Sequence, residues 1–232
     1  MGYLNDISDE DLKKGIVAFI KTAPEVYLPG ISLDTTIFGF DNNKLKVLLL
    51  RFGKTEFFVL PGDYIRKEED LDDAALRILR ERTGLQNIYL EQFYTSGSIS
   101  RSQDTRAKEA VQKIIGKIPQ MNWFEQRFIT VCYYALVDTT KVNPQPQAFF
   151  TEFRWFDVMK LPKLLYDHKQ IISKALSRLQ SDLDEKLIGF NLMSESFTMA
   201  ELQKLYEAVH QKEFVRTNFQ RKMLHLDILE RL

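Results

Sequence analysis

The chain has 232 residues, long for one compact domain and comfortable for two, and 44% hydrophobic content with 12% aromatics suffices to bury real cores. Its 32 basic and 32 acidic side chains cancel, which excludes a global field steering the whole protein to nucleic acid or membrane, so any DNA affinity comes from a local patch. One cysteine excludes an intrachain disulfide, and no stretch approaches the roughly 18 apolar residues that span a bilayer. Cys132 sits in the apolar, β-branched run Phe128 to Val137 and reads as a small buried hydrophobe. The acidic start, with Asp6, Asp9, Glu10 and Asp11, lacks the basic n-region of a secretory signal, so a cytoplasmic protein without a membrane partner is expected.

Leu33 to Phe40 and Lys44 to Arg51 read as two strands joined by the turn Asp41-Asn42-Asn43, which makes a hairpin. A short strand fits Phe57 to Leu60 and is broken by Pro61-Gly62. Leu71, Ala74, Ala75, Ile78 and Leu79 then recur at helical spacing up to Gly84, a helix stop. Ile88 to Ser98, Phe128 to Val137 and Arg154 to Phe156 read as further strands. Between them Asp104 to Ile118 carries Ala107, Val111, Ile114, Ile115 and Ile118 on one face, an inserted amphipathic helix ended by Pro119. Pro144 and Pro146 mark an exposed loop, and Lys163 to Leu179 reads as a helix. Ser181 to Ser196 looks like a connection, although Leu187, Ile188, Phe190 and Leu192 are apolar enough to pack. The pattern is mixed α/β followed by a helical end.

That end is informative. Thr198-Met-Ala-Glu201 is a capping box ahead of Leu202, Leu205, Tyr206 and Val209, which predicts a helix from Met199 to His210. Thr217-Asn-Phe-Gln220 repeats the capping pattern, with Phe219, Met223 and Leu226 as the packing stripe of a second helix. The other face of that helix carries Asn218, Arg221, Lys222 and His225 at i, i+3, i+4 and i+7, with Arg216 just ahead. Two short helices with a donor-rich stripe on the second suit major-groove reading, because arginine and asparagine contact base edges bidentately. A merely solvated basic face has the same pattern.

The run Leu60 to Leu85 carries a second signal. Aligned without a gap it resembles the Nudix box, Gly-x5-Glu-x7-Arg-Glu-U-x-Glu-Glu-x-Gly-U, where U is aliphatic. Asp63 replaces the first glycine, while Glu69, Arg77, Leu79, Gly84 and Leu85 keep the frame. Catalytic members offer three glutamates on one helix face to gather Mg²⁺ against a pyrophosphate. Here those positions are Ile78, Glu81 and Arg82: one aliphatic, one carboxylate and one cation. The resemblance implies a Nudix fold that is not an enzyme, with no metal and no cofactor. Glu69 and Arg77 are expected to keep a loop-to-helix ion pair, and Glu81 to pair with Arg77 or lie in solvent.

With the stretch Phe197 to Leu232 included, most of the chain is similar to the Nudix-related transcriptional regulators, which join such a domain to a C-terminal winged helix. The resemblance implies an α/β/α sandwich with a mixed sheet over residues 1–160 and a DNA-binding domain over 161–232. It further implies double-stranded operator DNA, a sugar or ADP-ribose-like effector and a second copy of the chain as partners. The box region looks closer to the sugar-responsive members. Arg51, Tyr64 and Arg101 are candidate effector contacts, and Arg216, Thr217, Asn218, Arg221, Lys222 and His225 candidate DNA contacts. The sequence departs from the family twice: it ends at Leu232, where a basic wing usually follows, and it carries the inserted segment Asp104 to Trp123 near the cleft. A Nudix hydrolase of a nucleoside diphosphate derivative with a dimerising C-terminus is the alternative, and an inert protein-interaction scaffold a third.

Overall fold

The computed structural model describes residues 2–3, 8–86, 88–116, 123, 126–143, 150–186, 188–193 and 196–225. The strands are β1 (Gly2–Tyr3), β2 (Tyr27–Asp41), β3 (Lys44–Phe52), β4 (Phe58–Val59), β5 (Gly62–Arg66), β6 (Tyr89–Ser96), β7 (Ile129–Val137) and β8 (Phe150–Asp157). The helices are α1 (Asp9–Val26), α2 (Leu71–Thr83), α3 (Ile99–Ser102), α4 (Thr105–Ile115), α5 (His168–Glu185), α6 (Met199–His210) and α7 (Arg216–His225). The sheet runs β1-β8-β3-β2-β7-β6, with β4 on β3 and β5 on β2. β2 and β7 are parallel and the other pairs antiparallel, so the sheet is mixed.

Side chains alternate across a strand, and here the alternation assigns each face its helices. Val47, Leu49, Tyr134 and Leu136 face one side and pack with Ile172, Leu179, Leu205 and Val209 of α5 and α6. Leu48, Ala135 and Val137 face the other side and pack with Leu79 of α2. Leu33 and Tyr133 join that second face against Ala74, Ala75 and Ile78. A further cluster joins Leu12 and Ile16 of α1 to Ala107 and Val111 of α4 over Leu50, Val59 and Phe150. Cys132 is fully buried, and burial pushes its thiol well up.

The hairpin turn has Asn42 and Asn43 both in the left-handed region, which asparagine tolerates. Gly84 caps α2 at φ 74°, and its backbone N–H donates to the Arg80 carbonyl. Several elements differ from the sequence expectation. α1 goes beyond what the acidic start suggests: Ser8 caps it by accepting from the Asp11 N–H, and Leu12, Ile16 and Ala23 supply a buried stripe. β5 continues past Pro61-Gly62, because Gly62 lets the chain approach β2 where a Cβ would lie 2.4 Å from Asp34 Oδ1 and 2.6 Å from the Leu33 carbonyl. α5 begins at His168 instead of Lys163. Residues 163–165 are held extended against β4, with Phe58 N–H donating to the Lys163 carbonyl and Leu165 N–H to the Phe58 carbonyl. At its other end α5 runs on to Glu185, into the expected connection. α4 is described as far as Ile115, where Gly116 caps it.

α6 has the predicted bounds and a complete capping box between Thr198 and Glu201. α7 begins at Arg216, two residues earlier than a Thr217 cap requires, and the Phe219 N–H closes its first turn on the Val215 carbonyl. Packing of Phe219 against Tyr206 and Phe214 fixes that start. Ile188 and Leu192 are buried in a 3₁₀ turn, so the connection does pack. Ile118, Pro119, Pro144, Pro146, Leu187, Leu226 and the rest of residues 226–232 lie outside the described residues.

Candidate functional site

A cavity of about 620 Å³ opens beside the sheet where β2, β5, the end of α2 and the inserted α3–α4 segment meet. That volume falls within the range of small-molecule sites. One side is aromatic: Tyr64 lies 5.7 Å from Phe19, 5.8 Å from Tyr27, 5.2 Å from Trp123 and 4.9 Å from Phe128, ring centre to ring centre. Such a wall suits a planar ring or a sugar face.

Another part of the wall is charged and buried. Arg101 Nη2 donates to Asp34 Oδ2 at 2.7 Å, and its Nη1 donates to Asp167, the residue ahead of α5. Asp167 also accepts from the Ser96 hydroxyl. His168 accepts from the Leu60 backbone N–H on Nδ1 at 3.0 Å, which places the proton of a neutral ring on Nε2, 3.4 Å from Asp34. Burial raises the Asp34 carboxyl, but Arg101 and His168 outweigh it and leave it at about 2. Arg101 moves the other way: burial lowers its guanidinium, and Asp34 and Asp167 more than restore it. The network ties β2, α3 and the start of α5 together.

On α2 the box residues divide their work. Glu69 closes the loop by accepting the Arg66 N–H at 2.7 Å and grips Arg77 Nε at 2.9 Å and Nη2 at 2.6 Å. Arg77 Nη2 also donates to the Tyr64 carbonyl at 2.9 Å, so this pair holds β5 against α2. Glu81 touches Arg77 at 3.4 Å and Arg66 at 3.5 Å. Ile78 is fully buried among Leu33, Ile65, Ala74 and Tyr133. Arg82 is 5% exposed on the cavity wall, donates from Nη2 to the Gly62 carbonyl at 2.8 Å and lies 5.1 Å from the Phe150 ring.

The magnesium cluster of a catalytic box does not fit these residues. An aliphatic at Ile78 cannot coordinate, Arg82 would repel the ion, and the Glu81 carboxylate is already turned to two arginines. Among the described residues no group of three or more His, Cys, Asp or Glu is placed to hold a metal ion.

A separate surface is formed by α6 and α7. Phe214 N–H donates to Glu207 at 3.1 Å, and Gln203 donates to the Phe214 carbonyl at 2.9 Å, which fixes the turn between the helices. Gln211, in the left-handed region, ends α6. Phe219 and Met223 point inward, leaving Arg216, Thr217, Asn218, Arg221, Lys222 and His225 exposed. Arg221 Nη2 lies 3.2 Å from Asn218 Oδ1, one turn apart on that stripe. No described helix is long and apolar enough to cross a membrane.

A family model described as the NUDIX domain matches residues 32–179. The chain belongs to the NUDIX family. Residues 189–232 match a second model, the NrtR DNA-binding winged helix domain, so the NUDIX fold is followed by a winged helix. The chain is 27% identical over 209 residues to the ADPR responsive transcriptional repressor NtrR of Acinetobacter baylyi, covering 87% of this chain and 75% of that one. The crystal structure of Shewanella oneidensis NrtR is similar with a TM-score of 0.64 at 28% identity, covering 86% of each chain. The same protein complexed with a 27mer DNA is similar with a TM-score of 0.65 at 27% identity, covering 87% of this chain and 88% of that one. The curated relative is named for its response to ADPR, and the two structures are named NrtR.

Within the NUDIX domain the three effector candidates Arg51, Tyr64 and Arg101 part company. Tyr64 and Arg101 line the cavity. Arg51 does not: its Nε donates to the buried Glu152 at 2.6 Å and its Nη1 to the Thr55 carbonyl at 3.0 Å, joining β3 to β8. Sequence reasoning missed Asp34, Asp167 and His168. Asp34 carried a signal, an acid inside the apolar run of β2, where a carboxylate needs a partner. Asp167 and His168 carried none, since their segment reads as helix interior.

Proposed function

We propose that this chain is an ADP-ribose-responsive transcriptional regulator, in which the NUDIX domain binds the effector without hydrolysing it and the winged helix binds operator DNA. The observation that carries the reading is the box helix. Ile78 and Arg82 remove the metal site while the cavity beside them stays open and lined for a small molecule. An exposed donor stripe on α7 and the likeness to a repressor and to a DNA-bound NrtR supply the other half. Arg221 and Asn218 are assigned to base edges, and Lys222 and Arg216 to phosphates. We extend the sensor unit, expected over residues 1–160, through α5 and start the reader unit at Ile188, a division supported by the matched segments 32–179 and 189–232. Two copies bound to a palindromic site would set their α7 helices one helical turn apart, roughly 34 Å.

DNA selected by the full chain from a random pool, titrated with and without ADP-ribose, tests this. ADP-ribose should shift DNA affinity, and DNA should shift ADP-ribose affinity by the same factor. Magnesium-dependent turnover of ADP-ribose at on the order of 1 per second or faster would favour the hydrolase instead. Arabinose acting where ADP-ribose does not would reassign the effector to a sugar.

A further inference from the structure

Arg82 stands where a catalytic box has a metal-binding glutamate, and its setting is unusual for a guanidinium. The side chain is buried on the cavity wall, yet Nε and Nη1 have neither solvent nor a hydrogen-bond partner, and Nη2 alone reaches a carbonyl, that of Gly62. The nearest carboxylate is Asp63, at 3.6 Å, outside hydrogen-bond distance. Buried N–H groups left unmade cost free energy, and a buried cation more so, so this arrangement favours an anionic oxygen arriving from the cavity. Arg101, the other buried arginine of the wall, is already ion-paired with both Asp34 and Asp167.

We propose that Arg82 is the diphosphate-binding residue of the cavity, replacing with a fixed side-chain cation the charge that bound metal supplies in catalytic members, so that effector binding is independent of divalent metal. The proposal rests on the reading that the cavity takes ADP-ribose. A guanidinium matches the oxygens of a phosphate and stays charged. It activates no water, so the group that holds the diphosphate also leaves it uncleaved.

Calorimetric titration of the full chain tests this, with ADP-ribose, ADP and inorganic pyrophosphate as probes, in EDTA and in Mg²⁺, for wild type, Arg82→Gln and Arg82→Lys. Wild type should bind ADP-ribose equally in both buffers. Arg82→Gln should weaken it about tenfold or more, with Arg82→Lys in between, while the ligand-free melting midpoint shows each variant folded. If Arg82→Gln does not fold, wild type decides: metal-independent binding that pyrophosphate competes away supports the proposal, and affinity that rises about tenfold with Mg²⁺ overturns it. Undiminished ADP-ribose binding by folded Arg82→Gln overturns the role of Arg82 and leaves the effector reading standing. Arg82-dependent binding of ADP or pyrophosphate without ADP-ribose does the reverse, and wild type binding none of the three overturns both.

Discussion

Asp34 and Arg101 meet at 2.7 Å behind the cavity, each side chain 9% exposed, and Arg101 carries the contact on to Asp167 at the start of α5. The pair fastens three elements that lie far apart in the chain. Arg101→Met should leave two carboxylates buried without their cation and cost about 3–5 kcal/mol. Urea unfolding measures it; a loss under about 1 kcal/mol would mean that the pair is solvated in solution.

The same pair predicts an acid limb. Asp34 is depressed from its ordinary 3.8 to about 2 in the folded chain. A carboxylate depressed on folding contributes its full stabilisation above its unfolded value and loses it as pH falls through the folded one. The stability gap between wild type and Asp34→Asn should therefore be constant above about pH 5 and shrink between about pH 4 and pH 2. A gap that instead widened on acidification would contradict the assignment.

Rebuilding the box in sequence should not rebuild it in space. Ile78 is fully buried against Leu33, Ile65 and Tyr133, so Ile78→Glu puts a carboxylate into an apolar contact. The expected cost is about 3–5 kcal/mol, and the double variant with Arg82→Glu should show loss of structure before any magnesium-dependent hydrolysis. Circular dichroism melting and a phosphate-release assay on the same sample separate the two outcomes.

On α7, alanine at Asn218 or Arg221 should cost about 1–3 kcal/mol on selected DNA and little on random DNA. Alanine at Lys222 or Arg216 should weaken both and flatten the salt dependence by about one unit. Phe219→Ala is the structural control, expected to lose about 3–5 kcal/mol of stability because its ring packs against Tyr206 and Phe214. If all four polar substitutions together leave binding by a folded protein unchanged, α7 is not the reader.

Much of this was legible from residue order. The hairpin at Asn42-Asn43, α2 with its Gly84 stop, and α6 with its Thr198 cap rest on local chemistry, which a sequence displays directly. What stayed hidden depends on contacts between distant segments. β5 exists because Gly62 clears Asp34, α5 starts late because residues 163–165 are claimed by β4, and α7 starts early because Phe219 is claimed by Tyr206. The cavity was half visible for the same reason. Tyr64 and Arg101 announce themselves as polar or aromatic residues near strand ends, whereas Arg51 has the same appearance and is spent on Glu152.

The largest apolar cluster runs without a break from Phe38, Leu49 and Tyr134 in the sheet, through Ile172, Leu179 and Leu183 of α5, to Val209, Phe219 and Met223. Gln180 reinforces it by donating to the Val209 carbonyl at 2.8 Å, and the Tyr206 hydroxyl by donating to the Leu183 carbonyl at 3.2 Å. Two segments that a genome could have joined as beads on a string are thus fused into one melting unit. Calorimetry should show a single transition whose midpoint ADP-ribose raises, by about 2.7 kcal/mol of added stability at 100 times the dissociation constant, for α7 as much as for the cavity. Under the proposed function, a reader that shares its heat of unfolding with the sensor would have no independent thermostat, and its persistence in a warm cell would follow the supply of effector.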